Sequence, residues 1–218
     1  TQLKACETSY SLVRALRASF WVLAPLLARG GAARVALPGG DIIGARPVDI
    51  HLSALARMGA DISIKHGVVL ASAPRGLKAA EIELRFPSVG ATHQIIMAAA
   101  LTPGTTIIRN AAREPEVEAM AQMICAMGAS VQGAGTPTVI IEGRKELGPC
   151  DVNIIGDRVE AATHLLGAAM TGGEVSVCGV EPRFFGSFGR VLEDLGLDVE
   201  SGPARIRVRS TGCIKPVE

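Results

Sequence analysis

The 218-residue sequence has little aromatic content, 3% in all, with a single Trp and a single Tyr. So few rings leave no stacking platform for single-stranded bases. It also lacks an excess of either charge: 22 Lys and Arg stand against 21 Asp and Glu, a formal net charge of +1. No broad basic field is available to draw in nucleic acid. Long apolar runs are missing too. The longest, such as Phe20 to Leu27, fall far short of the roughly 20 residues that cross a bilayer. Five cysteines (Cys6, Cys125, Cys150, Cys178, Cys213) are dispersed, with no C-x-x-C pair and no Cys/His cluster. A structural zinc site is therefore not expected, and scattered thiols suit a reducing cytosol. Neither a metal, a nucleic acid nor a membrane is an expected partner. Glycine, by contrast, is plentiful at 25 residues, above its ordinary share of about 7%. That points to many tight turns between short elements. A hydrophobic fraction of 48% is ample for a buried core.

Those glycines are not randomly placed. Three stretches follow one plan: an Ala-rich helix, a Gly turn, a β-branched strand, a second helix and two closing strands. The second helices stop at Met58-Gly59-Ala60, Met127-Gly128-Ala129 and Leu195-Gly196-Leu197, with glycines 69 and 68 residues apart. Gly just past a helix end is the usual left-handed cap. The first helices stop at Gly30-Gly31, Gly104 and Gly172-Gly173, and the second begin near Pro47, Pro115 and Pro182, where Pro fits a first turn. Strand pairs are expected at 62–65 with 68–71, 130–132 with 138–141, and 198–200 with 205–208. Single strands are expected at 34–37, 105–108 and 174–177, with two further ones at 81–84 and 152–155. The unit reads as βαβαββ. A period near seventy is too long for the common solenoids and suits packing about a pseudo-symmetry axis with helices inside.

One segment stands out chemically: Pro38-Gly39-Gly40-Asp41-Ile42-Ile43-Gly44-Ala45-Arg46-Pro47-Val48-Asp49-Ile50-His51. Its three glycines let a loop move or let a ligand approach the backbone. Arg46 precedes a Pro-started helix, and a guanidinium beside free helix N–H groups suits an anion. Asp41 has two accounts, a proton carrier over a substrate or an ordinary turn residue. Asp49 has a bland one as well, since acids stabilise a helix's first turn. Asp49 and His51 are two apart and share no helical face. Arg14 and Arg17, three apart, would share one on a helix that also carries Phe20, Trp21, Leu23 and Leu26. Ser88 and Asp157 read as N-caps of the second and third first-helices. His66, His93 and His164 show no ligand spacing and read as structural.

The same segment resembles the UDP-N-acetylglucosamine 1-carboxyvinyltransferases, the enolpyruvyl transferases that open peptidoglycan precursor synthesis. Four further stretches agree in order and spacing: Leu16-Arg17-Ala18-Ser19 with Trp21, Ser88-Val89-Gly90-Ala91-Thr92, Asn110-Ala111-Ala112-Arg113-Glu114-Pro115-Glu116, and Asp157-Arg158-Val159-Glu160. The resemblance runs from Leu12 to about Arg209 and implies an α/β fold. In it, repeated βαβαββ units pack with pseudo-threefold symmetry as inside-out barrels, six units in two halves. Residues 1–154 would be two units of one half, and residues 155–218 the first unit of the other. The family's amino-terminal Lys-Asn pair and its later catalytic Asp and Arg residues have no counterpart here. The chain is thus expected to be the middle of a longer enzyme that is inactive in part and monomeric as a whole.

The implied substrates are phosphoenolpyruvate and UDP-N-acetylglucosamine, in the cytoplasm and without a cofactor. Arg17 and Arg46 would hold phosphoenolpyruvate. Asp41 stands at the family's loop Cys and would be the proton donor, which implies insensitivity to the thiol-alkylating epoxide fosfomycin. Arg46, Pro47, Val48, Asp49 and Ile50 would contact the uridine nucleotide together with Phe86, Pro87, Ser88 and Val89. Phe86 occupies a place where the family often has Lys. Two other readings stay open: a non-catalytic repeat domain that binds a nucleotide sugar or a protein, and a related transferase with another acceptor.

Overall fold

The computed structural model describes residues 3, 5–39, 47–210 and 212–216. The chain forms two compact units, Thr1–Val152 and Asn153–Glu218. In the first, α1 (Tyr10–Ala15), a 3-10 segment (Arg17–Val22) and α2 (Leu23–Gly30) lead into β1 (Ala32–Ala36). Then come α3 (Asp49–Arg57), β2 (Asp61–Lys65) and β3 (Val68–Ser72). The plan repeats with β4 (Glu81–Glu83), α4 (Val89–Ala100), β5 (Gly104–Arg109), α5 (Pro115–Ala126), β6 (Ser130–Gln132) and β7 (Thr138–Gly143). The second unit holds α6 (Arg158–Thr171), β8 (Glu174–Cys178), a 3-10 turn (Pro182–Phe185), α7 (Phe188–Asp194), β9 (Asp198–Gly202) and β10 (Arg205–Arg209).

The sheets carry the repeat. Their orders are β1-β3-β2, β4-β5-β7-β6 and β8-β10-β9. In each, the last strand of the unit lies between its two antiparallel partners. β4 adds to β5 in parallel, Glu81 opposite Ile107. Glu7 makes a single parallel bridge to Arg34, the first repeat's remnant of the same strand. The three helix stops also coincide. Gly59, Gly128 and Gly196 have φ of +93°, +108° and +87°, values an L side chain resists. The residue after each donates its N–H five residues back, Ala60 to Leu55, Ala129 to Ile124 and Leu197 to Leu192, the Schellman closure.

In the first unit α4 is the central helix, packed against α2, α3, α5 and β7. Ala91, Thr92, Ile95, Ile96, Ala98, Ala99 and Ala100 are all fully buried, because an apolar, Ala-rich helix has no solvent face and lets its neighbours come close. The second unit has its own core, with Leu165 of α6 and Leu192 of α7 against Ile206 and Val208.

Three expectations change. The first helix is not continuous, since Leu16 is extended (φ −139°, ψ 118°) and the 3-10 segment follows. Pro25 explains the second break. Its ring would clash with the carbonyl of residue 21 in a continuous α-helix and it has no N–H, so α2 starts at Leu23 with Pro25 in its first turn. Arg14 and Arg17 therefore lie on different elements rather than on one helical face. No strand forms at 152–155. A strand needs a ladder partner, and Ile154 is instead 83% exposed. The third second-helix begins at Phe188, because Gly186 (φ 55°, ψ −125°) interrupts the path from the Pro182 turn.

Candidate functional site

Helix starts meet on one side of the first unit. The 3-10 segment begins with Arg17, α3 with Asp49 and α4 with Val89. Gly90 makes the approach possible. A Cβ there would lie 2.7 Å from His51 Cε1 and 3.0 Å from Trp21 Nε1, closer than real side chains tolerate. Ser88 caps α4, its Oγ accepting from the Ala91 N–H at 3.3 Å. Val48 precedes α3 and supplies no side-chain cap, so the first-turn N–H groups of α3 have no side-chain oxygen from that residue.

Beneath these starts lies a layer of buried polar groups. His51 is 6% exposed, stands edge-on to Phe20 at 5.8 Å, and its Nδ1 has no partner. Burial first, and the nearby Arg17 charge second, push its pKa from 6.5 down to about 4, with Asp49 opposing. The ring is neutral at pH 7. His93 donates from Nε2 to the Glu116 carbonyl at 3.1 Å and meets Trp21 edge-on at 4.8 Å. Burial lowers its pKa as well, against that same bond. Gln94 donates to the Phe20 carbonyl at 3.2 Å, which ties α4 to the segment that presents Arg17.

Asp49 and Arg85 join the two segments expected at the nucleotide. Arg85 Nη2 lies 2.7 Å from Asp49 Oδ2, and its guanidinium carbon is 5.6 Å from the Phe86 ring centre. A cleft of about 680 Å³ opens between α3 and the β4 edge, lined by Asp49, Ile50, Ser53, Arg57, Leu84 and Arg85 among others. A second hollow of about 420 Å³ is lined by Pro38, Pro47, Val48, Asp49, Leu52 and Ile64.

The predicted site residues thus fall into groups. Pro47, Val48, Asp49 and Ile50 lead into and open α3, with Val48 and Ile50 buried and Asp49 exposed. Phe86 and Pro87 are exposed on the loop before α4, and Ser88 and Val89 begin that helix. Arg17 is half-buried at the start of the 3-10 segment. Asp41 and Arg46 lie outside the described residues. Asp157 is an N-cap, accepting from Val159 at 2.8 Å and Glu160 at 3.0 Å. Sequence reasoning missed His51 and Gln94. The signal for His51 was available, since it shares the buried stripe of α3 with Ile50, Ala54, Leu55 and Met58. Among the described residues no cluster of three His, Cys, Asp or Glu side chains could hold a metal ion, and no helix is long and apolar enough to cross a membrane.

Known proteins are similar to this chain in sequence and in fold. The sequence model of the EPSP synthase (3-phosphoshikimate 1-carboxyvinyltransferase) family matches residues 1–218. A protein of Azorhizobium caulinodans named UDP-N-acetylglucosamine 1-carboxyvinyltransferase is 50% identical over 210 residues, which is 96% of this chain and 49% of that one. Proteins of the same name from Xanthobacter autotrophicus and Geotalea uraniireducens are 48% and 46% identical over 96% and 97% of this chain. The chain spans about half the length of the curated relatives it matches. Among solved structures, the enolpyruvyl transferase NikO from Streptomyces tendae superposes with a TM-score of 0.76 at 21% identity, covering 94% of this chain and 49% of that one. EPSP synthase from Acinetobacter baumannii gives 0.64 at 22%, covering 92% and 47%. At those identities the likeness is one of fold.

Proposed function

Because the chain belongs to the EPSP synthase family, we propose that its protein moves the enolpyruvyl group of phosphoenolpyruvate to the 3′-hydroxyl of UDP-N-acetylglucosamine. Phosphate is released, and the product enters peptidoglycan precursor synthesis in the cytoplasm. The observation that carries this reading is the identity of 46–50% over nearly the whole chain to proteins of that name. The close approach of α3 and the 3-10 segment to α4 at Gly90 supports it, since the Arg17 charge acts on His51 beside Asp49 and Asp49 pairs with Arg85 next to the 86–89 segment.

In this reading Arg17 and Arg46 hold the phosphate and carboxylate of phosphoenolpyruvate and offset charge as it develops. The sugar hydroxyl attacks C2, forming a C–O bond, while Asp41 gives its proton to C3. The hydroxyl proton departs to a base of the complete site. Loss of a C3 proton then re-forms the C=C bond as the C2–O bond to phosphate breaks. For the first step Asp41 must be protonated. A closed loop that expels water raises a carboxylate's pKa and so favours that form. Pro47, Val48, Asp49, Ile50, Phe86, Pro87, Ser88 and Val89 bind the uridine nucleotide. Residues 1–154 supply two repeats of one half of the enzyme, and residues 155–218 the first repeat of the other.

The test is phosphate release by the complete protein with phosphoenolpyruvate and either UDP-N-acetylglucosamine or shikimate 3-phosphate. Mass spectrometry of the product identifies the acceptor. Turnover with the sugar nucleotide alone bears the proposal out. Turnover only with another acceptor, or with neither, refutes it.

A further inference from the structure

The ion pair between Asp49 and Arg85 has more built around it than its own energy justifies. Its two side chains are 52% and 59% exposed, and a pair that wet contributes little to folding. Yet the chain just before Arg85 is held by two hydrogen bonds to the end of β5 and the residue after it. The Leu84 N–H donates to the Arg109 carbonyl at 3.0 Å. The Leu84 carbonyl accepts from Asn110 Nδ2 at 2.9 Å. Asn110 has φ of +55°, a conformation uncommon outside glycine, and it places that amide beneath the Arg85 peptide. Across the cleft, Asp49 is fixed as the first residue of α3. Phe86 lies close enough to the guanidinium to orient its plane.

We propose that Arg85 is the residue that selects the nucleotide's base. The inference rests on the uridine-nucleotide reading above and goes beyond it by assigning base choice to a residue outside the predicted contact set. One guanidinium N–H steadies the Asp49 carboxylate, and other donors of the five line the same cleft. Side by side, the pair offers an acceptor and a donor. The uracil edge is complementary, with an imide N–H flanked by carbonyl oxygens. Cytosine presents a lone pair and an amino group in reversed order, so its ring nitrogen would face a carboxylate. A site whose donor and acceptor match one base edge disfavours a base that presents them in the wrong order. A lysine at this place would supply a point charge without the planar fork.

The experiment is calorimetric titration of the complete protein with UDP and with CDP, for wild type, Arg85→Ala, Arg85→Lys and Asp49→Asn, with steady-state kinetics alongside. Arg85→Ala should weaken UDP at least tenfold and shrink the UDP-over-CDP preference. KM for the sugar nucleotide should rise while KM for phosphoenolpyruvate stays within about twofold. Arg85→Lys should recover only part of the UDP affinity. Equal UDP affinity in wild type and Arg85→Ala overturns the proposal and leaves the underlying reading intact. A parallel rise of both KM values with a large fall in Tm also overturns it, since that is the mark of a structural residue. Wild-type protein that binds no uridine nucleotide overturns the underlying reading, and this one with it.

Discussion

Acidification from about pH 7 to pH 4.5 should destabilise the first unit through His51. The ring is almost wholly buried, and burial with the Arg17 charge holds its pKa at about 4 against an ordinary 6.5. In the unfolded chain it titrates near its ordinary value. As pH falls, the unfolded form therefore takes up the proton first and gains population. Stability from this residue is fully present above about pH 6.5 and is lost as pH falls through about 4. The gap is about 2.5 units, and at roughly 1.36 kcal/mol per unit it amounts to about 3 kcal/mol. Set against a typical domain stability of about 5–15 kcal/mol, that is a large share. His93, lowered in the same direction by burial, adds a loss of the same sign on acidification. Trp21 is the only tryptophan and touches His93, so its fluorescence reports unfolding of this unit alone. Urea titrations of wild type and His51→Gln at several pH values would give stability against pH. Between about pH 6 and pH 4.5 the wild-type curve should be steeper by up to about 1.4 kcal/mol per pH unit. Curves of equal slope would refute the reasoning, whatever the absolute stability of the variant.

Three further outcomes are expected. Gly90→Ala should destabilise the first unit by about 1–3 kcal/mol in urea despite alanine's better helix propensity, because its methyl meets His51 and Trp21; a stabilised variant would show that those rings yield freely. In the complete protein, Arg46→Ala should cost about 1.5–3 kcal/mol of transition-state stabilisation, a one- to two-decade fall in kcat/KM for phosphoenolpyruvate, with little change in Tm. Asp41 should leave the complete protein active in fosfomycin, since a carboxylate opens an epoxide far more slowly than a thiolate. Asp41→Cys should restore sensitivity and Asp41→Asn should abolish proton transfer, and stoichiometric alkylation of wild type by intact mass would contradict this.

Much of the architecture was legible in the chain because it is written locally. The positions of Gly59, Gly128 and Gly196 announce three left-handed helix stops, and a positive φ is a property of one residue and its neighbours. Period-two apolar strands and Gly turns fix hairpins such as β9 and β10 for the same reason. Ser88 and Asp157 could be read as caps because a cap reaches only two or three residues along the chain. The family likeness was equally legible, carried by a contiguous run from Gly44 to His51 and by four short stretches in fixed order.

What depended on approach between distant segments was not. The apolar stripe of α3 could place His51 on a buried face, but its lowered pKa is set by burial against segments distant in sequence and by the Arg17 charge. The Asp49 to Arg85 pair spans 36 residues of sequence and exists because α3 packs on α4, which brings one helix start beside the loop that feeds the other. The absent strand at 152–155 follows the same rule. Helical periodicity and β-branched runs state what a segment can form, but a helix continues only if its neighbours leave room, and a strand forms only where a free edge meets it.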